Sequence, residues 1–296
     1  EAELMENIMK QRKHALIITA YQEIDYLEEL CKAYSSNFVC YVHVDKKCSQ
    51  AQEAVEKLNR WNNVFAISQY QINWGSYKHI LAILALLQKA VEDEVQFFHI
   101  ISANTILIKN PQKLIDFFEQ NPESIFMEVK KNTGQSFYEF DYRYTAYFFQ
   151  HIYNLRGQNH KLWKRIEGWG AALQRKMKLR TGIRMDYKGY IYCHLPRQVV
   201  LYVLDYVKQN PQYIKELKYC SIGEEFFFQN IIMGSRYASK VINDPLIYDE
   251  WGDRGNPAFL DMTDIDKLCD TNAFFARKVS KEHKEVFEVL RRKEGF

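Results

Sequence analysis

Apolar and polar residues in the first half of the chain form short apolar runs that alternate with segments of helical spacing. The runs at 15–19 (ALIIT) and 38–44 (FVCYVHV) are rich in β-branched and aromatic residues, which predicts two buried strands. The segment between them, 25–33, has the spacing of a helix, so the chain opens with a βαβ unit. The alternation continues with predicted strands at 64–67, 96–102 and 124–129 and predicted helices at 76–90 and 111–120. We therefore predict an α/β fold with a Rossmann-like, mostly parallel central sheet.

Polar residues occur in four segments, each at the end of a predicted strand or in the loop that follows it. In an open parallel sheet the ligand crevice lies at the carboxyl ends of the strands, so these segments should converge. No GxGxxG or GxxxxGK[ST] motif follows the first strand, which argues against a classical dinucleotide or P-loop site and makes hydride transfer a poor explanation. The segments expected to converge are 19–22, 43–46, 71–76 and 102–105.

The second half of the chain contains one strongly basic segment, 156–184, with nine Lys or Arg residues and Glu167 as its single acid. Its apolar residues recur at helical spacing, which predicts a basic amphipathic helix of the kind that lies on an anionic membrane. The alternative is a solvated helix that docks its apolar face on the core. Beyond this segment we predict a strand at 189–195 and helices at 198–207 and 225–233. The apolar positions are Leu162, Ile166, Trp169, Leu173 and Met177.

Composition fits a folded enzyme-sized chain rather than a nucleic-acid-binding one. The 296 residues are 47% hydrophobic and 26% charged, and the net charge of +3 gives no field that would attract nucleic acid. No apolar run approaches the roughly 20 residues needed to span a bilayer, and no signal-peptide pattern is present. The six cysteines lack metal-ligand spacing and read as free thiols. We expect a cytoplasmic protein at the inner face of the cell membrane, or a Golgi-lumenal one if the chain is eukaryotic.

A candidate general base lies in the stretch 221–229 (SIGEEFFFQ). Ser221 and Glu224 have the spacing of a capping box, which predicts that Glu224 bonds to the backbone and leaves Glu225 free. Three phenylalanines follow Glu225, so desolvation would raise its pKa while the helix N-terminus would lower it. An ordinary first-turn glutamate that complements the helix dipole explains the same pattern.

Candidate phosphate ligands lie near the end of the chain. Arg277 and Lys278 stand side by side, and Arg254 lies in the Gly-rich loop 251–257; such cations suit phosphate oxygens, although adjacent cations are commonly just solvated. The one Asp-x-Asp sequence, Asp264-Ile-Asp266, follows no predicted strand, and Thr263-Asp264 looks like a helix cap. These cations are therefore expected to replace a metal.

Five ordered motifs give the chain a family resemblance. The motifs are YVHVDK at 41–46, NWGS at 73–76, GYIYCHL at 189–195, EEFFFQ at 224–229 and FARK at 275–278. Together they resemble the core-2/I-branching N-acetylglucosaminyltransferases, a family that includes peptide O-xylosyltransferases.

This resemblance implies a GT-A fold that transfers a sugar from a UDP-sugar to a hydroxyl of a carbohydrate or lipid-linked saccharide, with inversion to a β-linkage and without metal or other cofactor. It implies Glu225 as the base and one domain over 14–296, with a nucleotide-binding part to about 130, an acceptor part from about 131, and an extension at 1–13. The implied nucleotide and diphosphate contacts are Thr19, Tyr21, Asp45, Arg254, Arg277 and Lys278. The implied substrate contacts are Trp74, Gly75, Ser102, Asn104, Tyr190, Tyr192 and Glu224.

The chain also departs from the family pattern. Where the family has Leu-Ser-Gly-x-Asp-Tyr-Pro-Leu, residues 101–108 read ISANTILI, so Thr105 stands in place of the Asp; Tyr190 and Tyr192 replace a Ser and a Trp. Two alternatives follow. One is a catalytically inactive UDP- or sugar-binding protein of the same fold, and the other is a metal-dependent nucleotidyl or glycosyl transferase of another family.

Overall fold

A central sheet organises the computed structural model, which describes residues 13–181, 183–251 and 257–296. The strands are β1 His14–Ala20, β2 Val39–Val44, β3 Val64–Ile67, β4 Phe97–Ser102, β5 Thr105–Leu107, β6 Ile125–Met127, β7 Lys130–Lys131, β8 Tyr187–Lys188, β9 Cys193–Pro196, β10 Val241–Ile242, β11 Ile247–Asp249 and β12 Phe275–Arg277. Strand β1 lies inside the central sheet and pairs in parallel with β2 on one side and with β4 on the other. Within the described ranges seven strands join in the order β10-β6-β9-β4-β1-β2-β3, and β9 runs antiparallel to both of its neighbours. The predicted α/β fold with a mostly parallel sheet is confirmed.

The strands match the predicted apolar runs closely in the first half of the chain. Every residue of β1 is buried, as expected for a strand covered by helices on both faces. Strands β5, β11 and β12 form a second sheet, and β7 pairs with β8.

Helices occupy the predicted segments between the strands. No helix of the described ranges is long and apolar enough to cross a bilayer. The helices are α1 Ile24–Tyr34, α2 Ala51–Leu58, α3 Lys78–Glu92, α4 Pro111–Gln120, α5 Asp141–Tyr144, α6 His160–Lys176, α7 Arg197–Gln209, α8 Pro211–Leu217, α9 Glu224–Met233, α10 Ile265–Asp270 and α11 Glu285–Glu294, with 3₁₀ turns at Ala238–Lys240, Met262–Asp264 and Lys281–His283.

The core lies on the two faces of the central sheet, and the alternation of side chains along β1 divides it. Leu16 and Ile18 pack into the cluster that includes α1 and α11, whereas Ala15 and Ile17 pack into the cluster that includes α3, α7 and α9. This is the period of two expected of a strand. The six cysteines are free thiols, as predicted.

Two predictions of local structure need correction. The predicted strand at 189–195 is shorter in the structure: β9 begins only at Cys193, and residues 189–192 belong to no strand. Gly189 lies so close to the carbonyl of Glu128 that an added Cβ would be 1.9 Å from that oxygen, and its N–H donates to the carbonyl of Glu225 (2.9 Å). The Gly189 N–H is thus paired with α9 and not with a neighbouring strand.

Asp264 stands at the N-cap position of α10, as predicted, but it makes no side-chain capping bond to that helix. The side-chain cap lies earlier, at the 3₁₀ turn Met262–Asp264. Asp261 is the capping residue: its Oδ1 accepts from the Thr263 N–H (2.8 Å), and Asp264 Oδ2 accepts from the Asp261 N–H (3.1 Å). The Asp264 carboxylate thus serves a helix start that follows no strand.

Candidate active site

The carboxyl end of β1 is tied to the beginning of α9 through a histidine. Thr19 Oγ1 lies 2.9 Å from His79 Nε2, and His79 Nδ1 lies 2.6 Å from Glu224 Oε2. Because a carboxylate only accepts hydrogen bonds, Nδ1 carries the proton of this contact. The Thr19 carbonyl also accepts from the Ala103 N–H (3.0 Å), so the ends of β1 and β4 meet here.

Asp45, at the end of β2, organises the neighbouring loop. Its buried carboxylate accepts from the backbone N–H groups of Lys47 (2.9 Å) and Ile72 (3.2 Å), and the Lys47 ammonium lies 3.6 Å from it. His43 Nε2 accepts from the N–H groups of Gln69 and Tyr70, and burial lowers the pKa of His43 to about 4. The convergence expected for 43–46 and 71–76 is therefore present.

The beginning of α9 does not contain the predicted capping box. Helix α9 starts at Glu224 after Gly223 and has no side-chain cap. Ser221 Oγ accepts from Gln150 Nε2 (2.8 Å), and the Ile222 N–H donates to Gln150 Oε1 (3.0 Å). The Glu224 carboxylate is engaged with the side chain of His79 and not with the backbone N–H that a capping box requires.

Glu225 is not the free carboxylate that the sequence predicts. Its Oε2 accepts from Arg143 Nη1 at 2.5 Å and lies 3.9 Å from the Lys188 ammonium, which also pairs with Glu139 at 2.9 Å. The Glu225 side chain is 28% exposed. Both contacts fall on one oxygen, and within the described residues Oε1 makes no hydrogen bond. Cations thus hold Oε2 of Glu225, while Oε1 has no hydrogen-bond partner among the described residues.

Three cations come together from distant parts of the chain. The Arg156 guanidinium lies 4.3 Å from the Trp74 ring centroid, and the Arg277 guanidinium lies 4.7 Å from that of Tyr192. Burial lowers the pKa of Lys278, and the charges of Arg277 and Arg156 lower it further. The same two arginines act on Tyr21, whose pKa is raised mainly by burial. Positive charge is therefore concentrated beside the end of β1.

Aromatic rings line one side of this cluster. Tyr190 OH donates to Asp249 Oδ2 (2.9 Å), and Arg277 Nη1 lies 4.0 Å from the same oxygen. Tyr190 stacks on Trp251 with centroids 6.2 Å apart, and its ring centroid is 6.4 Å from that of Tyr192. Asp249 thus connects the aromatic residues to the cations.

The loop after β4 is held by hydrogen bonds within the loop and by one from the segment that follows β12. Ser102 Oγ contacts Asn104 Oδ1 (2.7 Å) and Thr105 Oγ1 (2.8 Å), and the Asn104 carbonyl accepts from the Val279 N–H (2.9 Å). Thr105 pairs with Arg277 in the register of β5 and β12. A cavity at these strand ends is lined by Tyr21, Gln22, Glu23, Ala103 and Asn104.

Comparison with known proteins decides the family. The model of the Core-2/I-Branching enzyme family matches residues 15–279, most of the chain. The chain belongs to the Core-2/I-Branching enzyme family. The resemblance inferred from the five motifs is therefore confirmed, and the chain is placed among glycosyltransferases.

Sequence similarity to an individual solved structure is low. One solved structure, residues 1–349 of S. aureus TarS in complex with UDP, is 15% identical and has a TM-score of 0.42. The match covers 95% of this chain and 63% of the TarS chain, so the present chain spans less than two thirds of that protein. No curated protein sequence matches the present chain.

Several predicted site residues of this Core-2/I-Branching chain lie together, and one cannot be placed. Arg254 lies outside the described residues. Among the residues that the structure describes, no group of three or more His, Cys, Asp or Glu side chains is arranged to hold a metal ion. A larger cavity, lined in part by Asn132, Asp141 and Arg184, contains none of the predicted residues.

The sequence analysis did not identify several residues that contact the predicted ones, among them Arg143, Arg156, His79 and Asp249. Arg143 is the single Lys or Arg in the aromatic-rich stretch 138–153, and this isolation was the available signal. Arg156 was counted only as part of the basic segment. His79 and Asp249 had no local signal, because their partners Glu224 and Tyr190 are far away along the chain.

Proposed function

We propose that this chain is an inverting glycosyltransferase that moves a sugar from a UDP-sugar to an acceptor hydroxyl without a metal ion. The observation that carries the proposal is the cluster of Arg156, Arg277 and Lys278 beside the end of β1. A departing diphosphate needs positive charge in a partly dry site, where charge stabilisation is strongest. Membership of the Core-2/I-Branching family supports the same reaction.

Glu225 acts as the base in this proposal. Its Oε1 accepts the proton of the acceptor hydroxyl while the hydroxyl oxygen forms the new bond to the sugar C1 on the face opposite the diphosphate. The bond between C1 and the diphosphate oxygen breaks, the configuration at C1 inverts to β, and UDP departs with its negative charge facing the cations. Arg143 and Lys188 hold Oε2 and so fix the direction of Oε1.

The remaining residues bind the two substrates in this proposal. Thr19, Tyr21 and Asp45 contact uridine, and Arg254 joins the other cations on the diphosphate. The contact of His79 with Thr19 and Glu224 keeps the nucleotide end of β1 in register with the catalytic helix. We assign the sugar and acceptor contacts to Trp74, Gly75, Ser102, Asn104, Tyr190, Tyr192 and Glu224.

The wider role follows from the same proposal. The donor sugar is N-acetylglucosamine or a related sugar, and the acceptor is a carbohydrate or lipid-linked saccharide in surface polysaccharide or glycoconjugate synthesis. One GT-A domain over 14–296 carries both substrate sites. The six free thiols are consistent with the reducing cytoplasm, where we place the enzyme.

One alternative is supported by a specific observation. Thr105 replaces the family aspartate and pairs in register with Arg277, whose carboxylate partner is instead Asp249. If that aspartate is needed for turnover, the chain is an inactive UDP- or sugar-binding protein.

Incubation with a panel of UDP-sugars and acceptors in excess EDTA separates these functions. We expect UDP release that depends on acceptor, a β-linked product, and a higher melting temperature with the correct donor, because a ligand of the native state stabilises it. Stabilisation by UDP without product from any donor would support the inactive binding protein. Turnover that requires added divalent cation would contradict the proposed mechanism.

A further inference from the structure

Helix α6 carries its apolar residues on the side that faces solvent. Five side chains at helical spacing are between 47% and 78% exposed, and Ala171 is the buried residue of the helix. At about 100° per residue these five positions fall within an arc of about 80°. We call this surface the outer stripe: Leu162, Ile166, Trp169, Leu173 and Met177.

The opposite side of α6 is anchored by polar contacts. Glu167 accepts from Tyr153 OH and from Gln150 Nε2 (3.3 Å), and burial raises the pKa of its carboxyl. Gln174 pairs with both backbone groups of Tyr147. A helix that docks on a core normally buries its apolar face and exposes its polar one. Here the arrangement is reversed, so the alternative of an apolar face docked on the core is wrong.

Charge selects the partner of the outer stripe. The single acid of 156–184, Glu167, is turned inward, whereas Lys161, Arg165 and Lys176 are exposed along one flank of the stripe. A second copy of the chain would bring two such basic surfaces together and is disfavoured by repulsion. An anionic bilayer offers both an apolar interior and negative headgroups.

We propose that α6 lies in the surface of an anionic lipid bilayer, with the outer stripe inserted and its basic flank on the headgroups. The helix is linked to the candidate active site, since Gln150 bonds both to Glu167 and to Ser221 just before α9. Arg156, shortly before α6, lies over Trp74. A bound bilayer would therefore lie near the crevice and present a lipid-linked acceptor; this last step rests on the proposed function.

Co-sedimentation with vesicles tests the proposal. The wild-type chain should bind vesicles containing phosphatidylglycerol and not vesicles of phosphatidylcholine alone. The double substitution W169S/L173Q should weaken binding at least about tenfold, because apolar burial drives insertion. The substitutions R165Q and K176Q should each weaken it roughly fivefold.

Matched variants on other exposed helices control for loss of any apolar residue or cation. L201Q on α7 and the pair K208Q/K215Q should bind as the wild type does. Equal binding by W169S/L173Q and L201Q would overturn the proposal. A dimer in sedimentation velocity that W169S/L173Q abolishes would assign the stripe to a second copy and would also overturn it.

Activity separates this inference from the proposed function. W169S/L173Q should keep turnover on a soluble acceptor and lose it on a lipid-linked acceptor in vesicles. Vesicle binding without turnover on any acceptor would contradict the proposed function and leave the membrane surface standing. Turnover without specific binding to anionic vesicles would contradict only the membrane surface.

Discussion

At the residue scale, the turn before α9 depends on the missing side chain of Gly75. This glycine has a φ of +76°, and an added Cβ would be 2.8 Å from Gln150 Oε1 and 3.2 Å from Ile222 Cγ1. Gln150 is the residue that holds Ser221 and Ile222 in place. By leaving room for Gln150, Gly75 therefore helps to set the position of Glu224 and Glu225, which follow Ile222 in the chain.

Substituting Gly75 by alanine should lower both stability and turnover. The free energy of unfolding should fall by about 2 to 4 kcal/mol, from the positive φ and the displaced Gln150. G134A is the matched control, because Gly134 has a φ of +77° and no atom within 4 Å of an added Cβ. Equal losses in G75A and G134A, measured by urea unfolding and turnover, would show that the Gln150 contact is unimportant.

Removing single cations from the cluster should weaken UDP binding. R156Q and K278Q should each raise the Kd for UDP about tenfold, as expected for a charged hydrogen bond of roughly 1.5 kcal/mol. Isothermal titration at two salt concentrations measures both the Kd and its screening. K281Q, which removes a nearby exposed lysine, should bind UDP like the wild type. Unchanged affinity in K278Q would place the diphosphate elsewhere.

At the scale of elements, three buried histidines connect strands β1, β4 and β9. His194 Nε2 donates to the Pro245 carbonyl (2.8 Å), so its Nδ1 accepts from His99 Nδ1 (3.1 Å), and His99 Nε2 in turn accepts from His14 Nδ1 (3.1 Å). This chain requires the His194 and His99 rings to be neutral, because each uses one ring nitrogen as a donor and the other as an acceptor. Nε2 of His14 is buried without a hydrogen-bond partner among the described residues, so a proton there would be unsatisfied. Burial lowers the pKa of His14 to about 3, that of His194 to about 4 and that of His99 well below 6.5.

These histidines should make the fold sensitive to acid. Between the lowered native values and about 6.5 the unfolded chain binds more protons, so their contribution to stability is present above pH 6.5 and is lost as the pH falls toward 4. Between about pH 7.5 and pH 5.5 the three histidines should together lower the free energy of unfolding by roughly 4 kcal/mol, which is about 1.4 kcal/mol for each ring.

Urea unfolding as a function of pH measures this proton uptake. H14F should flatten the slope by roughly 0.9 proton at pH 5.5 and roughly 0.5 proton at pH 6.5, whereas H160Q, on the surface helix α6, should leave it unchanged. An H14F slope equal to that of the wild type would show that His14 is protonated in the native sheet.

Elements were predictable where their signals are local. The strands of the first half and α4 follow from apolar runs and helical spacing within the segments themselves. The predicted capping box is absent because distant residues bind its two side chains. Gln150 bonds to Ser221 from 71 residues away, and His79 contacts Glu224 from 145 residues away. The strand at 189–195 failed for the same reason, since α9 supplies the partner of Gly189.

At the scale of the whole molecule, the candidate site is assembled from segments that are far apart in the chain. The motifs identified Lys278 and Glu225, whereas the basic segment concealed Arg156 among eight other cations. The fold brings Arg156 close enough to Lys278 for its charge to lower the pKa of the lysine, which the sequence alone does not reveal. The family could be inferred from the ordered motifs. The partners of each site residue could not, because they are close only in the folded chain.

The most direct test of the proposed reaction is the turnover of E225Q on the preferred UDP-sugar and acceptor. Glutamine keeps the shape and the hydrogen bond from Arg143 but cannot take a proton, so kcat should fall about a thousandfold while the Kd for UDP changes less than about threefold. E139Q removes the other carboxylate on Lys188 and should retain most activity. An E225Q enzyme that turns over within about tenfold of the wild type would contradict the account.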